Sequence, residues 1–158
     1  GILTYAFIQS SSASKKCYHN PMKNFMLEQY LTIKHVFVTH GWKESTRNFC
    51  QGMTTKEHFN GTIVTISEEF IKINKKTYYS EVYCSTEKKK IKQGKFPFNC
   101  HFLVDTQNRS LPNYNIVTSV INTDYKKYAI LYGCSKTGTS VTENILVLQT
   151  DINANNDT

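Results

Sequence analysis

The 158-residue sequence predicts an all-β domain, an eight-stranded antiparallel up-and-down barrel preceded by a short helical turn. Three observations predict it. Beyond residue 33, eight strand-like segments follow one another, separated by turns rich in Gly, Asn, Lys and Ser. Aromatic residues reach 13%, with ten Tyr and nine Phe, a bias that suits pleated, half-buried surfaces. Helical periodicity is nearly absent after the lead-in. A run of sequential strands with short turns leaves two open edges that invite aggregation, and closing the sheet on itself removes them. On periodicity alone, a β-sandwich with the same strand count remains the alternative.

The elements read in order as follows. Residues 24–31 place apolar side chains at 26, 27, 30 and 31, the spacing of one or two helical turns. A first strand runs over 33–40, a second surrounds Cys50, and the Asn60-Gly61 turn opens a third at 62–66. The remaining five fall at 77–84, 95–104, 115–122, 128–134 and 144–150. The length fits one domain, and no linker divides it. An interior of this size is either filled by side chains or holds one small ligand.

Residues 1–14 are apolar and then small, as the tail of a secretory signal peptide would be, with no initiator Met and no basic segment before them. The reading is therefore a partial signal over 1–14 and a secreted domain over 15–158. No other stretch approaches the roughly 18 apolar residues of a membrane span. Export also accounts for the glycosylation sequons at Asn60, Asn108 and Asn156.

The net charge is +7. Lysines crowd three expected turns: Lys88, Lys89, Lys90, Lys92 and Lys95; Lys75 and Lys76; Lys126 and Lys127. Solvated turn lysines account for this, and a basic patch for anionic lipid, glycosaminoglycan or an acidic protein surface is the other reading. Nucleic acid is disfavoured in an exported chain.

Five cysteines, Cys17, Cys50, Cys84, Cys100 and Cys134, show no metal-finger spacing and read as a disulfide framework with one thiol left over. Lys92 is the midpoint between Cys84 and Cys100, so a hairpin turning there sets the two opposite each other at disulfide distance. The sequence alone does not order Cys17, Cys50 and Cys134. No nucleophile, base and orienting acid occur at motif spacing, so no catalytic residue is assigned and the chain is not read as an enzyme. Asp124 reads as an Asx-type turn former.

The segment Thr123-Asp124-Tyr125, followed by Tyr128-Ala129-Ile130-Leu131-Tyr132-Gly133-Cys134, resembles the lipocalin Thr-Asp-Tyr motif and its strand. The 24–31 lead-in, the Val38-Thr39-His40 strand ending and the cysteine placement are similar to the triabin-like salivary lipocalins of blood-feeding triatomine bugs, over residues 17–150. Departures exist. Val36 stands where the lipocalin Trp is expected, Trp42 falls after the first strand, and Gln149 or Thr150 replaces the usual Arg.

The resemblance implies Cys17–Cys134 and Cys84–Cys100 disulfides, with Cys50 unpaired because its partner would lie beyond Thr158, in a truncated C-terminus. If Cys134 and Cys50 point outward, alternation turns Ala129, Leu131, Gly133 and Ser135, together with Phe49 and Gln51, toward a ligand cavity. None of the five histidines matches the haem-ligand position of the nitrophorins, so neither cofactor nor metal is expected. The implied role is a monomeric, secreted salivary protein that captures a small hydrophobic or amphipathic host mediator: an eicosanoid such as thromboxane, a biogenic amine or a nucleotide. The rival role is surface inhibition of a host coagulation or contact-phase protein.

Overall fold

The computed structural model describes residues 16–42 and 49–154. The expected signal segment and the Asn156 sequon lie outside the described residues. One helical turn, α1 (Leu27–Tyr30), precedes β1 (His35–Gly41), β2 (Phe49–Glu57), β3 (Thr62–Ile73), β4 (Lys76–Glu87), β5 (Lys95–Asp105), β6 (Tyr114–Thr123), β7 (Tyr128–Thr137) and β8 (Ser140–Gln149). Every neighbouring pair is antiparallel, and β8 pairs back onto β1 through Phe37 with Gln149 and Val38 with Leu148. The sheet closes into a lipocalin-type barrel, not a sandwich.

The strands are longer than their apolar runs. β3 extends to Ile73, past the polar stretch Ser67-Glu68-Glu69, because alternation continues through it: Ser67 and Glu69 are buried while Glu68 and Phe70 are exposed. Its hairpin with β4 closes through Asn74 and Lys75, both at positive φ (50° and 67°), the twist that a two-residue turn requires. The helix is shorter than the 24–31 reading. Asn24 sits at φ 57°, and a residue in that conformation cannot lie inside a right-handed helix.

Residues 21–33 plug one end of the barrel. Met22, Phe25, Leu27, Tyr30 and Ile33 pack onto a core that includes Val36, Val82, Phe96, Val120 and Leu148. Gly94 makes room for the plug: at φ 87°, any Cβ there would lie 3.1 Å from the side chains of both Phe25 and Pro21. Opposite the plug's free face, the Thr-Asp-Tyr turn latches on. Asp124 Oδ1 accepts the backbone N–H groups of Lys126, Lys127 and Tyr128 at 2.8–3.1 Å, and the Tyr125 hydroxyl accepts Met26 N–H at 3.1 Å. Lys88 is more than a solvated turn residue, since it pairs with Glu28 of the plug and Glu57 of β2.

A second cluster lies outside the barrel wall. Tyr132, Cys134 and Val141 face outward and are buried beneath the strap that begins at Lys16. The Cys17–Cys134 disulfide anchors that strap, Tyr18 N–H donates to the Tyr132 hydroxyl, and His19 packs edge-on against the same ring at 4.8 Å. The Tyr132 hydroxyl in turn donates to Glu143. Burial, and then this bond to a carboxylate, push the Tyr132 phenol up to about 12.

Candidate functional site

The inward faces of the strands enclose a chamber of about 90 Å³. Its wall is built by alternation. On β5, Phe96 and Phe98 point in while Lys95, Pro97 and Asn99 point out; on β8, Leu146 and Leu148 point in. Val36, Met53, Val82 and Ile116 complete an apolar girdle around the middle. Val36, where a Trp was expected, fills part of that girdle, and Trp42 instead follows the end of β1, its backbone N–H donating to Ile145 O at 2.9 Å.

Polar groups interrupt the girdle at defined places. Gln51 is 2% exposed and donates from Nε2 to Ser67 Oγ at 2.5 Å. Tyr114 on β6 reaches the same end of the chamber, where burial and the nearby Glu69 carboxylate push its phenol up. Glu69 is 1% exposed, in register with Gln51 on one side and Ser80 on the other. At the plug end the chamber meets the Tyr30 ring, whose phenol is raised by burial, and the exposed Lys34.

The expected cavity residues divide. Gln51, Ala129 and Leu131 line the chamber. Gly133 and Ser135 continue the same buried face of β7 but lie past the chamber: Gly133 is in register with Asn144, and Ser135 Oγ donates to Asn115 O at 2.6 Å. Strict alternation carried the reading two positions too far, because it fixes a side chain's direction and not the point where the cavity ends. Phe49 begins β2, but its side chain lies outside the described residues.

Cys84 and Cys100 are cross-strand partners joined by a disulfide, and Cys50 is a free, exposed thiol. The hairpin disulfide faces inward, with Cys84 lining the chamber. Parity from Val82 or Phe98 would have shown this. The sequence reading also missed Tyr114 and Glu69. Glu69 sits in a run of polar residues that resembled a turn, and only its β3 register turns it inward. Asn60 and Asn108, the two described sequon residues, are both exposed. Among the described residues no three His, Cys, Asp or Glu side chains converge as a metal site would need.

Residues 10–156 match the family described as Triabin. The chain belongs to the triabin family. It is 35% identical over 95% of its length to pallidipin of Meccus pallidipennis, covering 76% of that relative. It is 32% identical over 97% of its length to platelet inhibitor triplatin-2 of Triatoma infestans, covering 79% of it. Among solved structures, the triabin-family barrel superposes on the tryptamine complex of the amine-binding protein of Rhodnius prolixus (TM-score 0.74, 18% identity, 91% of this chain and 75% of that one). It also superposes on a leukotriene C4 complex of LTBP1 (TM-score 0.61, 22% identity, 92% and 84%). At these identities the two structures speak to the triabin family's fold.

Proposed function

We propose that this chain is a secreted salivary carrier that sequesters a small amphipathic host mediator inside its barrel and so suppresses platelet aggregation or vasoconstriction. One observation carries the reading: an apolar chamber, lined from all eight strands, whose girdle is interrupted by a small set of polar groups that include Gln51, Ser67 and Tyr114. Such a pocket binds an apolar body by burial and orients it through a small number of hydrogen bonds. A relative named as a platelet inhibitor supports the physiological direction, and the two disulfides suit an oxidising, extracellular setting.

Chemistry ranks the candidate mediators. A nucleotide's phosphates would meet Lys34 alone among the cations of the lining, too few for several charges removed from water. An eicosanoid such as thromboxane has a long apolar body for the girdle and oxygens for Gln51, Ser67 and Tyr114. A biogenic amine is the second reading, favoured by the Glu69 carboxylate beside Tyr114. At about 90 Å³ the chamber holds roughly three waters, so either ligand must displace side chains, and unbranched Met53 is the most adaptable of them.

Calorimetric titration with a stable thromboxane analogue, tryptamine and an adenine nucleotide tests the proposal. Near-stoichiometric binding of the first, abolished by Leu131→Trp in a variant that still folds, is the expected result. Absence of binding by all three, together with direct inhibition of a clotting protease, would replace the carrier with the surface inhibitor.

A further inference from the structure

The barrel has a second concavity, over its outer wall, that shares only Phe98 and Ile116 with the lining of the chamber. A groove of about 900 Å³ runs over the outward faces of β5, β6 and β7, bounded by the end of β4 at Ser85 and Glu87 and by the strap at Lys16, Cys17 and His19. Its floor carries the amides Asn99 and Asn115, and Lys90, Lys95 and Lys136 stand around it. Glu87 is the one carboxylate among the described lining residues, and Lys89 and Lys90 already cover it at 3.1 and 3.5 Å. Both Lys95 and Lys136 are exposed.

The geometry points to a binding site for a linear sulfated polysaccharide. Lys95 is in register with Ser119 on β6, and Ser119 with Tyr132 on β7, which places Lys136 two strands over and four residues along. Strand spacing and rise put the two Cα atoms roughly 16 Å apart. A single small anion cannot bridge that span, whereas an extended polyanion meets both ends and lays its hydroxyl and sulfate oxygens over the amide floor. Lysine ammoniums are compact point charges suited to sulfate groups that arrive in varied orientations. Two other anionic partners fit less well. An acidic peptide binding as an added strand needs a free sheet edge, and this barrel has none. A bilayer is flat or convex and does not enter a concave groove.

The test uses the full chain with heparin as probe, by titration at about 0.1 M salt, where charges beyond roughly 10 Å are already screened. K95E/K136E should bind about tenfold more weakly or worse, since each reversal exchanges an attraction for a repulsion. K75E/K126E, which changes net charge equally at turns outside the groove, should stay within about twofold of the parent. Should K95E/K136E lose its thermal transition, K95Q/K136Q gives the same reading with a smaller loss. Equal losses in groove and control variants, no heparin binding by the parent, or tighter binding of polyglutamate or anionic vesicles than of heparin would each overturn the assignment.

Discussion

Removing the Cys17–Cys134 bridge should destabilise the protein more than removing Cys84–Cys100, and the margin follows from chain entropy. The first bridge spans 117 residues and the second 16. Loop-closure entropy assigns about 4.9 kcal/mol to the longer loop and about 3.1 kcal/mol to the shorter at 25 °C, a difference of about 1.8 kcal/mol. Contact losses cancel for the buried members, since Cys134 and Cys100 are 3% and 2% exposed, while half-buried Cys84 leaves a larger void than exposed Cys17 and trims the margin. Equilibrium urea unfolding of C17A/C134A and C84A/C100A measures the difference directly. With a slope of about 2 kcal/mol/M, the midpoints should separate by roughly 1 M, with C17A/C134A the lower. If C84A/C100A were equally or more destabilised, the strap would be a local ornament and not a constraint on the whole unfolded chain.

Four further outcomes follow from named contacts. Asp124→Ala, which strips an oxygen from three backbone N–H groups, should cost about 1 kcal/mol in denaturant unfolding. Burial raises the Asp124 carboxyl, but those amide donors outweigh it and hold the group below the usual carboxylate range. Its contribution is therefore present above the unfolded value near pH 3.9 and lost as pH falls through the folded one, so Asp124→Asn should flatten the acid limb of the stability profile. Gly94→Ala, at φ 87° and against Phe25 and Pro21, should lower stability by about 1–2 kcal/mol and loosen the plug, read as faster amide exchange over residues 21–33. An aromatic thiol-exchange reagent should titrate about one thiol per native chain, at Cys50, and Cys50→Ser should abolish that reaction.

The barrel was legible in the sequence because its cues are local. Turn residues and alternating side chains announce a strand wherever they occur, and the hairpin disulfide follows from counting outward from Lys92. What escaped notice depends on contacts between distant segments. Glu69 looks like part of a polar turn until β2 and β4 are laid beside it, and Tyr114 looks like a strand boundary until burial against the barrel interior is seen. Gly133 and Ser135 show the opposite failure, where a correct local rule was extended past the end of the cavity it served. The outer groove was half legible: the lysine cluster from Lys88 to Lys95 stands out in the sequence, but Asn115 and Lys136 join Lys95 only when β5, β6 and β7 lie side by side.

The meander also constrains how the molecule is made. Each strand from β1 to β7 finds its next neighbour immediately after it is synthesised, but β1 waits for β8, more than a hundred residues later. Throughout that interval the nascent ribbon carries an uncovered margin at either side and an oily lining with nothing enclosed. Only when Ser140–Gln149 leaves the ribosome can the seam be sewn, so the eighth strand decides whether the barrel closes or clumps.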